Sequence, residues 1–297
     1  MRTINSDRIF MISIYVFLIV MSFVMLYPFW NSVVISFNAG SDTSLGGITF
    51  WPREFTLENY KVVFQDKRMM SGFVISILRT VIGTAISITC TAIFAYGMSK
   101  KQLIGRKYFM IMCIITMYFS GGLIPAYLIN RELGLMDSFW VMVIPNIISV
   151  WNMIIFRTFF IELPEGLEES AKIDGCGNWR TFFSIVVPIS GPVIATLSLF
   201  AAVWHWNDWF TASIYITSEH LMPIQTLLQQ ILSSNIMSEQ MMQTNAAAQG
   251  HMASMQSVTT KSLTMSTMLV ATVPILLVYP FLQKYFTKGV MIGSIKE

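Results

Sequence analysis

Six apolar blocks separated by polar connections run the length of this 297-residue chain. They are Ile9–Phe37, Gly72–Met98, Tyr108–Asn130, Ser138–Phe156, roughly Ile185–Ala202, and Leu263–Phe281. Each reaches or approaches the roughly 20 residues that a helix needs to cross the hydrocarbon of a bilayer. Helix breakers sit inside several of them. Pro28 predicts a bend in the first, Ser120-Gly121-Gly122 and Pro125 interrupt the third, Pro145 lies in the fourth, and Pro188 and Pro192 lie near the start of the fifth. The first block is too long for a signal-peptide core, and no small-residue cleavage site follows it. The pattern predicts an all-α polytopic membrane protein with six transmembrane helices.

The connections carry patterns of their own. Between Asn38 and Ser71, Thr56 is placed to cap a short helix with Leu57, Tyr60, Val63 and Phe64 on one side. Arg79, inside the second block, is expected to snorkel to the interface or pair with a neighbouring helix. Gly83 and Ser87 form a small-xxx-small pair suited to close helix approach. Trp204-His205-Trp206-Asn207-Asp208-Trp209 marks a membrane–water interface by its aromatic density. Tyr118, Asn146 and Asn152 are polar at membrane depth; with Asn207 and Asp208 they are candidates for a translocation path. Hydrogen bonding between helices is an equally good reading of them. Pro223–Leu232 reads as a short amphipathic helix. In the following Met-, Gln-, Ala- and Ser-rich stretch to Ser257, Met237, Met241, Met242, His251, Met252 and Met255 offer soft metal ligands. They form no compact repeated motif, so an adaptable contact loop is the favoured reading.

The stretch from Glu168 to Pro188 is a polar island in this apolar chain. It predicts two short helices joined at a glycine. Pro164 suits a first helical position, and Glu165, Glu168 and Glu169 favour the positive helix end. Leu167, Ala171 and Asp174 share a face, and Gly175 is placed to end the helix in the left-handed conformation. Asn178 is placed to cap the second helix, whose apolar face is Trp179, Phe182, Phe183 and Val186.

Composition agrees with a membrane protein: charged residues make up 12% of the chain, against about 25% in soluble domains. Basic residues lie at segment ends, which disfavours nucleic-acid binding. Cys90, Cys113 and Cys176 form no pair or metal motif. Arg2 and Arg8, the Lys100–Lys107 cluster, Arg157 to Arg180, and Lys284 with Lys288 all fall on one side of a six-span topology. The positive-inside rule makes that side cytoplasmic, with both termini and the Glu168–Pro188 loop on it. There is no Gly-x-x-x-x-Gly-Lys-Ser/Thr phosphate loop, so no ATP hydrolysis is expected in this chain. Few charges lie within the spans, which weakens a proton-relay reading.

Glu169-Ser170-Ala171, then Asp174-Gly175, then Ile185 and Pro188, resembles the Glu-Ala-Ala loop of ABC importer permeases. Ser170 departs from the usual Ala. The Phe55-Thr56-Leu57-Glu58-Asn59-Tyr60 run, Asn207-Asp208 and the Gly289–Lys296 tail are similar to the carbohydrate-uptake branch, including its oligosaccharide and uronate permeases. The resemblance implies a type I ABC importer transmembrane fold at residues 72–282, preceded by a first helix and external loop (1–71) and followed by a cytoplasmic tail (283–297). It implies that the loop is a cytoplasmic coupling helix. Glu169 would give an anionic contact, Gly175 the sharp turn, and Trp179 and Phe182 an apolar docking surface. It also implies partners in a bacterial cytoplasmic membrane: a second permease, an ATPase dimer carrying ATP and Mg, and an extracellular solute-binding protein delivering carbohydrate. This chain itself would hold no cofactor. The competing readings are a self-powered transporter or channel, and a membrane scaffold without flux.

Overall fold

The apolar blocks fold as helices, and among the described residues there is no sheet. This computed structural model describes residues 2–244 and 259–294, with side chains for 7–164, 166–234 and 259–277. Helix α1 (Arg2–Ser36) runs on through Pro28. The first connection holds α2 (Gly40–Leu45) and α3 (Glu58–Gln65), and α4 (Lys67–Ser99) follows. The third block is α5 (Arg106–Tyr118) and α6 (Leu123–Glu132), meeting at 113° across Phe119–Gly122. In the fourth, two short 3-10 turns (Phe139–Met142, Ile144–Asn146) lead into α7 (Val150–Glu162) with a 47° bend. Next come α8 (Glu165–Ile173), α9 (Asn178–Thr181), a π turn at Phe182–Val186, and α10 (Val187–Ile189). The Asn178–Ile189 stretch meets α11 (Gly191–Asn207) at 84°. The chain continues through α12 (Phe210–Tyr215), α13 (Ile224–Thr244) and α14 (Thr260–Ser294). Three long helices and three bent pairs give six spans when each bent pair counts as one. His251, Met252 and Met255, and the side chains of Met237, Met241 and Met242, lie outside the described residues, as do the side chains of the Gly289–Lys296 tail.

The chain divides into two compact units, residues 1–69 with 228–273, and 70–227 with 274–297. In the first, α1 is apolar on every side, and none of its most hydrophobic window is buried. A helix of that kind needs an apolar surrounding. The polar centre of this unit is Asn59. Its amide donates to the carbonyls of Ser36 and Asn38, both at 2.9 Å, and its carbonyl accepts from Ser262 Oγ at 3.0 Å. One buried side chain therefore ties α1, α3 and α14 together, as buried polar groups require. The predicted face of α3 is shifted: Asn59 and Val63 are buried, whereas Leu57 and Phe64 are exposed. Thr56 does act at the helix start, accepting the Glu58 N–H at 3.1 Å.

In the second unit, α4 is the central element. Ile88, Ala92, Ala95 and Tyr96 on α4 pack with Met153, Phe156 and Phe160 of α7 and with Phe182, Val186 and Leu197. Small residues on α4 allow the close approach that substitutes for hydrophobic drive inside a membrane. A separate cluster joins Val141 and Met142 to Ala212, Tyr215 and Ile216. Beside it, Asp137 holds the loop after α12: its carboxylate accepts from Ser218 Oγ at 2.6 Å and from the N–H groups of Ser218 and Thr217 at 2.8 and 2.9 Å. These bonds, Ser218 Oγ–H foremost, hold the Asp137 carboxyl down at about 2.

Candidate functional site

The Glu168–Pro188 island folds as two short helices, and the turn between them follows from Gly175. Its φ is +79°, a region that L side chains rarely adopt. The Cys176 N–H donates to the Ala171 carbonyl at 2.9 Å and the Gly175 N–H to that of Lys172 at 3.0 Å. This is the Schellman pattern, which satisfies the last carbonyls of α8. Asn178 is the first residue of α9 and makes no side-chain cap; Gly177 precedes the helix instead.

The island has two sides. Ala171, Thr181, Phe182 and Val186 are buried. Phe182, at 2% exposure, packs on Tyr96 with ring centroids 5.0 Å apart. The expectation that Phe182 faces outward is therefore corrected: it supports the loop from beneath. Outward stand Glu169, Ser170, Ile173, Asp174 and Trp179, with Trp179 65% exposed and stacked on Phe183 at 6.3 Å. Ile185 is half-buried and Pro188 exposed. The Ser170 hydroxyl donates to the Leu167 carbonyl of its own helix at 3.1 Å, so Ser in place of Ala is accommodated locally.

The island is tied to the end of α4. Lys100 Nζ donates to both Glu168 carboxylate oxygens and lies 3.8 Å from the centre of the Tyr96 ring. Arg157 Nε donates to the Met98 carbonyl at 3.1 Å. Nothing in the sequence singles out Lys100 from its neighbours in the basic cluster, and Glu168 lies 68 positions away.

Towards the other end of α4, Arg79 is fully buried and does not snorkel. Its guanidinium pairs with the Asp208 carboxylate and donates to the Asp208 carbonyl at 2.5 Å. Asp208 Oδ1 also accepts the N–H groups of Phe210 and Thr211, both at 3.1 Å. His205, in the aromatic stretch expected at the membrane–water interface, lies inside α11 at 2% exposure. Its ring fills the space over Gly83, where an added Cβ would come within 2.6 Å of it. The close approach at Gly83 is thus to a buried imidazole.

Of the path candidates, the structure brings Asn146 and Asn152 together. They line a cavity of about 350 Å³ with Ser87, Ser149, Phe200, Trp204 and His205. It forms where the fourth span breaks: the Ser149 N–H donates to Thr91 Oγ1 on α4 at 3.2 Å, and Ser149 Oγ accepts the Asn152 N–H at 3.3 Å. Tyr118, 74% exposed at the end of α5, and the exposed Asn207 are not among the lining residues, and Asp208 is engaged by Arg79.

Residues 5–292 match the family described as binding-protein-dependent transport system inner membrane component. The chain belongs to this family. The permease is 41% identical over 294 residues to the polygalacturonan/rhamnogalacturonan transport system permease protein YtcP of Bacillus subtilis, covering 98% of this chain and 99% of that one. It is 38% identical over 296 residues to the protein LplC of the same organism, covering 100% and 98% of the two chains. Its fold matches a chain in the crystal structure of a bacterial ABC transporter involved in the import of the acidic polysaccharide alginate, with a TM-score of 0.84 at 27% identity, covering 95% of the permease and 98% of that chain. The permease therefore has the membrane fold of an ABC importer, and partners of the general importer kind go with that membership. What sequence reading missed in it are side chains joined across long separations, Asn59 with Ser262, Lys100 with Glu168, and Arg79 with Asp208. Asn59, Glu168 and Asp208 lie in stretches that the sequence marks out, but none of those stretches names the partner.

Proposed function

We propose that this permease forms one membrane-spanning half of an ATP-driven importer of carbohydrate chains, and that its Glu165–Pro188 loop is the contact to a cytoplasmic ATPase. The observation that carries this reading is the outward face of the loop, Glu169, Asp174 and Trp179 around the left-handed Gly175, braced on α4. In this reading Glu169, Ser170, Asp174 and Trp179 touch the ATPase. Gly175 sets the turn, Ala171 and Phe182 anchor the loop, and Ile185 and Pro188 lead back into the membrane. The transport core is residues 72–282, and both termini are cytoplasmic. The basic Lys100 lies beside the loop, while Asp137 and Ser218 join at connections of opposite parity, which supports that sidedness. A second permease, two copies of the ATPase holding ATP and Mg, and an external solute-binding protein complete the complex. ATP acts by binding one arrangement of the complex better than the other, since equal binding would shift nothing. Oligosaccharide substrates are supported by the similar permease of a polygalacturonan/rhamnogalacturonan transport system and by the similar importer of the acidic polysaccharide alginate.

Reconstitution tests this. Proteoliposomes carrying the full complex should take up labelled trigalacturonate or galactotriose only with ATP and binding protein present, and the purified chain alone should pass neither under an ion gradient. Gly175→Asp should lower uptake at least about tenfold, through about 1–2 kcal/mol of backbone strain and an added charge at the contact. Flux through the chain alone, or normal uptake by Gly175→Asp, would overturn the reading.

A further inference from the structure

We propose that the cavity lined by Asn146, Asn152, Trp204 and His205 is a substrate subsite that holds one sugar ring of the passing chain, with Trp204 as its stacking face. This rests on the importer reading and specifies where this chain touches the substrate. The cavity's volume of about 350 Å³ lies in the range of about 300–1,000 Å³ usual for small-ligand sites. Ser87 is twelve residues from the end of α4 at Ser99, which places the cavity about 18 Å along the helix from that end. The hydrocarbon is about 30 Å thick, so this is mid-membrane. Irregular backbone at that depth is tolerated where it is buried in protein or lines a cavity, and the break between Asn146 and Val150 lines this one.

The lining is chemically mixed in the way a sugar ring is. One face of a pyranose presents C–H groups, and Trp204, 45% exposed, offers an indole to meet them. The ring's hydroxyls both donate and accept, as do the amides of Asn146 and Asn152 and the hydroxyls of Ser87 and Ser149. His205 is buried, lines the same cavity, and has Nδ1 without a hydrogen-bond partner. The neighbouring cation, Arg79, is occupied by Asp208, so the subsite reads ring and hydroxyls through neutral groups. The larger cavity of about 690 Å³, lined by Ile77, Val81, Leu199 and Pro274 among others, lacks this array of amides.

The test uses the reconstituted complex and the same two labelled trisaccharides. Trp204→Ala, a change at a half-exposed position, should lower uptake at least about fivefold, the scale of one lost aromatic contact. Binding-protein-stimulated ATP hydrolysis should persist, and Trp204→Phe should restore most of the uptake. Asn152→Ala should also lower uptake with hydrolysis retained. Wild-type uptake by both Trp204→Ala and Asn152→Ala would overturn the subsite while leaving the importer reading intact. Loss of uptake in Trp204→Ala that Trp204→Phe does not relieve would overturn the stacking role. A wild-type complex that imports neither sugar would overturn the importer reading and the subsite with it.

Discussion

Arg79 is fully buried, and its charge is answered by a carboxylate 129 positions away. A buried pair of this kind is costly to break from one side, because the remaining ion is left uncompensated. Asp208→Ala should therefore destabilise the permease by about 3–5 kcal/mol, while Arg79→Met combined with Asp208→Leu should recover most of that loss. Thermal unfolding of the detergent-solubilised complex would measure both, and an unchanged melting temperature for Asp208→Ala would refute the pairing. At this scale the sequence was legible one residue at a time. Arg79 inside an apolar block announced that something must satisfy it, and Gly83 announced a close approach. Neither named its partner, because Asp208 and His205 reach them only through the packing of α11 on α4.

The Glu168–Pro188 island was the most legible element, because its turn chemistry is local. The carboxylates, the left-handed glycine and the following apolar residues all lie within one short stretch, and the Schellman turn closes as expected. Its apolar face was misread for a specific reason. Trp179 and Phe183 form one i,i+4 pair and Phe182 and Val186 another, and the two pairs point to opposite sides, outward and inward. The π turn at Phe182–Val186 adds a change of helical period that no residue type signals. Lys100, paired with Glu168 over Tyr96, braces the island. The pair is partly exposed, so Lys100→Ala should cost stability by about 1 kcal/mol or less. It should instead lower the sugar imported per ATP hydrolysed, with Lys100→Arg closer to wild type. Equal ratios in all three proteins would show the brace to be passive.

For the whole molecule, the interruptions of the third, fourth and fifth spans could be read from proline and glycine placement, although α1 runs on through Pro28; the bend angles could not be read, because packing partners set them. The pH response is another whole-molecule property. Asp137 is held at about 2 in the folded chain, below its unfolded value of about 3.9. Its contribution is thus complete above the unfolded value and is lost as pH falls towards the folded one. The melting difference between wild type and Asp137→Asn should stay constant from about pH 8 to 5 and shrink below that, whereas a gap unchanged at pH 3 would exclude the charge as its source. One last feature bears on motion. The third, fourth and fifth spans are each bent, whereas α4 is a single unbroken helix. From Ser99, next to Lys100, to Arg79 it covers 20 residues, or about 30 Å at 1.5 Å per residue. A tilt of about 10° applied at the Lys100 end would carry the Arg79 end sideways by about 5 Å. Hinged neighbours can absorb such a swing, but a stiff lever delivers it, so the ion pair at its far end would feel whatever the loop at its near end is made to do.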